Sequence, residues 1–320
     1  MKILAHGLTK DYGNNRAVNG IDLSVDNEVY GLLGPNGSGK TTTVSMLTTL
    51  MRPTAGSAVI CGHDIATEQS AVRECMSYVP QDMAVDIRMT GRENVDFFAR
   101  LYGIRDRHER RRRVEDALEI MNLSDRADEL TKGYSGGMRR RLELAQALVH
   151  QPEVLFLDEP TVGLDVAARR SIWEYIVNLK NHGVTIFVTT HQMDEAERYC
   201  DRVGILKKGD LVNEGVPADL TSQMKSVITI RTDSHSPLKE LPESISLVRD
   251  ENGEIMVTSD NGSESLPAML ALLNKEGIKV YSSTVREPTL EDVYLQSVGK
   301  MNSDSDGFNQ KQFENMMRRR

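Results

Sequence analysis

The 320-residue sequence has no run of about 20 consecutive apolar residues, the length a membrane-crossing helix requires. The chain is therefore expected to stay out of the bilayer, and any role at a membrane needs a partner. Its first residues, Met1 to Gly7, are too few and too weakly apolar to read as a signal peptide. Cysteine is scarce. Cys61, Cys75 and Cys200 stand far apart, form no C-x-x-C pair and leave an odd count. That excludes a disulfide scaffold and a zinc site, and it fits a reducing compartment with buried, inert thiols. A basic excess is missing too. The formal net charge is -8 and the pI about 5.5, which gives no support to nucleic-acid binding. No internal repeat is visible. What is present, 39% hydrophobic and 27% charged residues, is ordinary for a soluble globular chain long enough for one large domain and a smaller one.

Short apolar runs, each followed by a polar or Gly-rich turn, mark residues 1–220 as an α/β domain with buried strands at Val29 to Leu33, Val154 to Leu157 and Val184 to Thr190. Residues 90–150 are charged and helix-periodic, and predict a helical insertion. The pattern breaks around Pro217 to Ser226. Strand-like runs at Val227 to Thr232, Ile255 to Thr258 and Ile278 to Ser283 then flank a helical stretch, Leu266 to Lys275. They predict a small α+β domain over 226–296. Residues 297–320 are polar, end in three arginines and predict a mostly disordered tail.

Gly34-Pro35-Asn36-Gly37-Ser38-Gly39-Lys40-Thr41 fits the phosphate-loop pattern G-x-x-x-x-G-K-[ST]. An apolar strand precedes it, and Thr41 to Leu50 is expected to continue as a helix. Glycines let the backbone wrap round phosphate oxygens, and successive N–H groups at a helix start attract the anion. Lys40 is expected at the β- and γ-phosphates, the Thr41 hydroxyl on Mg²⁺, and Thr42 near the α-phosphate. Alone, this motif says nucleoside triphosphate and no more.

Val154-Leu155-Phe156-Leu157 ends in Asp158-Glu159. A buried strand that delivers Asp158 to its end suits Mg²⁺ coordination, and Glu159 is then placed to take a proton from attacking water. Phosphoryl transfer depends mainly on positioning and electrostatics, so one metal and one base suffice. Upstream, Tyr134-Ser135-Gly136-Gly137-Met138 opens a helix with Met138, Leu142, Ala145 and Val149 on its apolar face. Ser135 is a natural N-cap, and Gly136 and Gly137 leave the helix start bare, a second anion site in one chain.

Over residues 1–220 this set resembles the ATP-binding cassette (ABC) ATPases, a P-loop NTPase fold. The resemblance implies ATP and Mg²⁺ as ligands. It implies that Ser135, Gly136 and Gly137 meet the γ-phosphate of ATP held by an opposite subunit. Tyr12 matches the aromatic that stacks on adenine, Gly34 to Thr42 the phosphate loop, and Gln81 the glutamine that senses Mg²⁺ and the transport partner. Asp158, Glu159 and Asp165 match the metal, base and dimer-contact acids, and His191 the switch histidine. Thr41, Gln81 and Asp158 are thereby the metal set; Lys40, Glu159 and His191 are the catalytic set. Tyr134 and Met138 depart from the Leu and Gln that many members carry around the signature. The run Tyr134 to Arg141, Gly163 to Arg170, and Glu287 to Leu295 resemble the drug-export subfamily typified by the daunorubicin-resistance ATPase, with its small C-terminal accessory domain.

The resemblance implies a homodimer, or a heterodimer with a related ATPase. It also implies an integral membrane permease as partner, a place on the cytoplasmic face of the cell membrane, no nucleic acid, and export of drug-like or lipophilic compounds. A soluble ABC ATPase with a non-transport role is the alternative. The stretch between Thr42 and Ser135 is too short for a long coiled-coil insertion of the DNA-repair type, and the chain carries one cassette rather than two. An unrelated P-loop kinase or GTPase is disfavoured by the signature and His191. The arginines from Arg105 to Arg113 alternate with acids, which predicts a solvated, salt-bridged helix face.

Overall fold

The computed structural model describes residues 1–82, 84–233, 241, 245–251 and 253–302. The chain forms two compact units, Met1–Glu214 and Gly215–Arg320. Unit one opens with strands β1 (Ile3–Tyr12), β2 (Asn15–Val25) and β3 (Val29–Leu33), and helix α1 (Lys40–Leu47). Strands β4 (Ala55–Ile60) and β5 (His63–Asp64), helix α2 (Gln69–Cys75) and strand β6 (Met76–Val79) follow. Then come helices α3 (Gly91–Leu101), α4 (Arg107–Ile120) and α5 (Gly136–Leu148), strand β7 (Val154–Asp158), helix α6 (Val166–Asn181), strand β8 (Thr185–Thr190) and helix α7 (Met193–Tyr199). Strands β9 (Arg202–Lys207) and β10 (Asp210–Gly215) close the series.

A six-stranded sheet in the order β10-β9-β3-β8-β7-β6 carries the motifs. Strands β3, β9, β8, β7 and β6 pair in parallel, as strands buried on both faces do. Strands β3, β7 and β8 are buried at every residue, which is why they read as unbroken apolar runs rather than alternating ones. Beside this sheet lies a four-stranded one, β2-β1-β4-β5, whose pairs are antiparallel. Ile3, Leu8, Ile21 and Leu23 of that sheet share one core with Tyr30, Phe156 and Phe187 of the parallel sheet and Val44 and Leu47 of α1. Tyr30 stacks on Phe187 at 5.3 Å between ring centroids. The antiparallel sheet was not legible in the sequence, because its glycines and polar turns interrupt the alternation.

The segment between β6 and β7 is helical, as its periodicity predicts. Helix α3 begins at a capping box in which Thr90 accepts from the Glu93 N–H and Glu93 accepts from the Thr90 N–H. Asp106 caps α4. The arginine-rich face is the expected ion-pair lattice: Arg110 bonds Asp96 at 2.8 Å, while Arg112 and Arg113 share Glu109.

Unit two contains helix α8 (Pro217–Ser222), strands β11 (Ser226–Thr232), β12 (Ile245–Glu251) and β13 (Glu254–Ser259), helix α9 (Gly262–Lys275), strand β14 (Val280–Arg286) and helix α10 (Leu290–Asn302). Its sheet order is β12-β13-β11-β14, with antiparallel pairs. Ile228, Ile230, Ile255, Val257, Met269 and Leu273 make a separate core.

Several boundaries differ from the sequence reading. Helix α1 stops at Leu47, with Thr49 in the left-handed region at φ 62°, three residues before the expected end. Residues 297–302 complete α10 instead of starting a tail; the rest of the expected tail, 303–320, lies outside the described residues. Cys61 and Cys75 are only partly buried and pack against the same core close enough to interact, so two of the three cysteines are neighbours in space. Among the described residues, no helix is long and apolar enough to cross a membrane.

Candidate active site

Parallel strands end on one edge of their sheet, and in sheets of this kind ligands bind at the carboxyl edge. Here β3 leads into Gly34, β7 ends at Asp158, β8 leads into His191, and β6 leads into Pro80 and Gln81. Four chain segments far apart in sequence therefore deliver their functional side chains to one rim.

The phosphate loop is tight. At Gly34, with φ 156°, an added Cβ would stand 2.5 Å from Ser38 Oγ and 2.6 Å from the Leu206 carbonyl. At Gly39, with φ 111°, it would stand 2.5 Å from the Ala17 carbonyl. Gly39 caps α1 without a side chain, leaving the helix start bare. Ser38 Oγ is buried and, among the described residues, has no hydrogen-bond partner, a donor beside Gly34 in the loop. Pro35, Asn36 and Gly37 form its exposed rim, Thr41 is exposed and Thr42 partly so.

Lys40 is only 5% exposed. Its Nζ donates to the Gly34 carbonyl at 2.8 Å and the Pro35 carbonyl at 3.3 Å, and lies 3.4 Å from Glu159 Oε1. The other carboxylate oxygen, Oε2, lies 3.1 Å from His191 Nδ1. Thus the loop lysine, the strand-end carboxylate and His191 meet at one point. Glu159 has φ 49°, a left-handed backbone that is uncommon for a residue with a Cβ. Its N–H donates to the Thr189 carbonyl at 3.0 Å, which helps hold that turn.

Asp158 is buried, and its Oδ1 accepts from the Thr189 hydroxyl. Tyr78 lies near Asp158; burial and that carboxylate push its phenol up to about 12, so it stays protonated at neutral pH. Thr189 and Tyr78 were missed in the sequence. Their only signal was a polar residue near the end of an apolar run. Gln81 is exposed on the segment that follows β6.

A second group forms at two helix starts of the same unit. Ser135 caps α5, its side chain accepting from the Met138 N–H at 3.2 Å, as expected of an N-cap. Asp165 caps α6 by accepting from the Ala168 N–H at 2.8 Å. The two helix starts touch: a Cβ on Gly137 would stand 3.0 Å from the Ala168 Cβ, and one on Gly136 would stand 3.4 Å from Leu164. Among the described residues, no hydrogen bond or ion pair joins Ser135, Gly136, Gly137 or Asp165 to the Lys40–Glu159–His191 cluster. Tyr12 is 47% exposed; its hydroxyl donates to Met51 Sδ at 3.0 Å and its ring lies under Lys10 Nζ at 5.6 Å.

Comparison with known proteins places the chain among relatives. Residues 18–162 match the family described as "ABC transporter", and residues 220–298 match "ATP-binding protein DrrA1-3-like, C-terminal domain". The daunorubicin/doxorubicin resistance ATP-binding protein DrrA of Streptomyces peucetius is 37% identical over 301 residues, 92% of this chain and 91% of that protein. The Nod factor export ATP-binding protein I of Burkholderia orbicola is 39% identical over 298 residues, 92% of this chain and 96% of that protein. Among solved structures, the dimeric post-hydrolysis state of an ATP-binding cassette bound to ADP and Pi aligns with a TM-score of 0.60 at 26% identity. It covers 67% of this chain and 98% of that one.

Proposed function

The chain belongs to the ABC transporter family of ATP-hydrolysing subunits, and from that premise we propose which of its residues do the work and what the work is for. The first unit, residues 1–214, is the nucleotide-binding domain, shorter than the 1–220 read from the sequence because 217–222 belong to α8 of the second unit. That second unit holds the accessory domain, read from the sequence as 226–296. The observation that carries the reading is the contact of Lys40 and His191 with the two oxygens of Glu159 at the carboxyl edge of the parallel sheet.

ATP binds with its phosphates in the loop Gly34 to Thr42 and its adenine against Tyr12. Ser38 Oγ and the bare N–H groups at the start of α1 donate to phosphate oxygens. Lys40 turns from the loop carbonyls to the β- and γ-phosphates, where its charge offsets theirs. Glu159, released from Lys40, accepts a proton from the attacking water. The water oxygen bonds to the γ-phosphorus as the bond to the β,γ-bridging oxygen breaks, and ADP departs with that electron pair. His191 holds the carboxylate through Oε2 and faces the same phosphate. Thr41, Gln81 and Asp158 offer a hydroxyl, an amide oxygen and one carboxylate. This all-oxygen set fits Mg²⁺, which takes few protein ligands and completes its shell with phosphate oxygens and water. Bound there, Mg²⁺ neutralises charge on the phosphates.

Cassettes of this family dimerise and work with membrane permeases. For this chain the reading is a head-to-tail pair, with itself or a close relative. Ser135, Gly136, Gly137 and Asp165 of one subunit close on the ATP held by its partner. The two anion-type helix starts in one chain support it: Gly39 leaves the start of α1 bare at the phosphate loop, and Ser135 caps a second start at α5. Turnover removes the shared ligand, and the pair reopens. Gln81 and the helical insertion relay this cycle to a permease at the cytoplasmic face of the membrane. The names of the Streptomyces and Burkholderia relatives, drug resistance and Nod factor export, support export of drug-like or lipophilic compounds.

The test is Glu159→Gln in the full chain. Loss of a general base lowers turnover by ~10²–10⁴-fold. The variant is expected to hold ATP and accumulate as an ATP-bound dimer in size-exclusion chromatography with light scattering. A variant that stays monomeric at saturating ATP and Mg²⁺ would overturn the head-to-tail model, and one that turns over at the parent rate would overturn the assignment of Glu159.

A further inference from the structure

One turn beyond the signature glycines, α5 carries a buried ion pair. Arg140 is 3% exposed and Glu143 4%. Arg140 Nη1 donates to Glu143 Oε2 at 2.8 Å. The rest of the guanidinium goes to main-chain carbonyls on three sides: Nε to Pro160 at 2.9 Å, Nη1 to Pro80 at 2.9 Å, and Nη2 to Asp158 at 3.3 Å. Glu143 Oε1 accepts from the Ala84 N–H at 2.6 Å.

These partners have a pattern. Asp158 and Pro160 are the residues on either side of Glu159. Pro80 precedes Gln81, and Ala84 follows it by three positions. One ion pair thus grips both flanks of Glu159 and both ends of the short segment carrying Gln81. The grip is aimed where the backbone needs it, because Glu159 sits at φ 49°. Such a conformation is strained and persists only where surrounding contacts over-determine it. A buried ion pair gives little net stability beyond what well-packed apolar residues would give. Its directional bonds are what apolar residues could not supply, and here they end on the turn that aims Glu159.

We propose that Arg140, held by Glu143, is a positioning residue for ATP hydrolysis: it fixes Glu159 through the carbonyls on both its sides and ties that position to helix α5 and to the Gln81 segment. The proposal rests on Glu159 being the base. Arg140 touches no substrate and acts through Glu159. Because Arg140 and Ser135 lie on the same helix, a tilt of α5 at the partner's nucleotide reaches Glu159 through these bonds.

The experiment measures steady-state Mg-ATP hydrolysis by the full chain. It compares the parent, Glu159→Gln, Arg140→Lys and the double variant R140M/E143L, which leaves no lone buried charge. In the folded double variant, kcat is expected to fall about tenfold or more while the ATP KM stays within about threefold, because a base displaced slightly loses rate and not substrate affinity. Arg140→Lys keeps the charge but cannot reach three carbonyls at once, so it is expected to show the same split with a melting temperature near the parent's. If R140M/E143L does not fold, Arg140→Lys decides alone. A folded variant with a kcat within about twofold of the parent, or one whose KM rises while kcat holds, overturns the proposal. If Glu159→Gln hydrolyses normally, the base assignment falls and the proposal with it. If Glu159→Gln is inactive and the Arg140 variants keep the parent kcat, the positioning role alone is wrong.

Discussion

His150 gives a pH dependence of stability that can be worked out from its surroundings. It follows α5, and its ring stacks on Tyr102 at 3.7 Å between centroids. Nε2 lies 3.2 Å from the Met76 carbonyl, so that nitrogen carries the proton, and Nδ1 faces the Ser77 hydroxyl at 3.5 Å. Burial pushes the imidazole from 6.5 down to about 4, against a smaller opposing effect of the Met76 carbonyl. A neutral ring in the fold and a protonated one in the unfolded chain mean that the unfolded state binds more protons below the unfolded pKa. The contribution is therefore complete above about pH 6.5 and is lost as the pH falls towards about 4. Each unit of difference is worth about 1.4 kcal/mol, so going from about pH 7.5 to about pH 5 should remove about 2 kcal/mol. Carboxylates titrate over part of this range, so the comparison is between the parent and His150→Gln. Urea unfolding midpoints across that range should fall more steeply for the parent, with an excess of about 2 kcal/mol. Superimposable pH profiles, or a steeper fall in the variant, would refute the neutral buried imidazole.

Two further substitutions probe the site and its frame. Gly34→Ala places a methyl group against Ser38 Oγ and the Leu206 carbonyl, at 2.5 and 2.6 Å. It should cost about 1–3 kcal/mol of stability and weaken ATP binding about tenfold or more; fluorescence titration with an ATP analogue at the parent affinity would show that the loop can relax. Glu195 accepts from Thr161 Oγ1 at 2.7 Å and from Trp173 Nε1 at 2.8 Å, all buried. Glu195→Leu strands both donors and should destabilise the first unit by about 2–5 kcal/mol in urea unfolding, and a loss under about 1 kcal/mol would show that those donors find other partners.

The sequence by itself determined the parts of this protein that are local in the chain. The phosphate loop is one continuous segment, so its glycines, its lysine and the flanking strand and helix could be read directly. So could the N-cap role of Ser135, because a cap and its helix are adjacent. Strands β3, β7 and β8 were legible because burial on both faces makes them continuously apolar. Tertiary structure alone decided which motifs meet. That Lys40 and His191 hold the two oxygens of one carboxylate depends on the sheet order β3-β8-β7, which no local pattern encodes. The contact between the starts of α5 and α6, the antiparallel sheet, and the nearness of Cys61 to Cys75 are likewise properties of the packed chain. Arg140 shows the limit most plainly. In the sequence it is one of three consecutive arginines on a helix. Only the fold buries its guanidinium among carbonyls at positions 80, 158 and 160, because hydrogen-bond partners that far apart in the chain are brought together by the core and not by their neighbours.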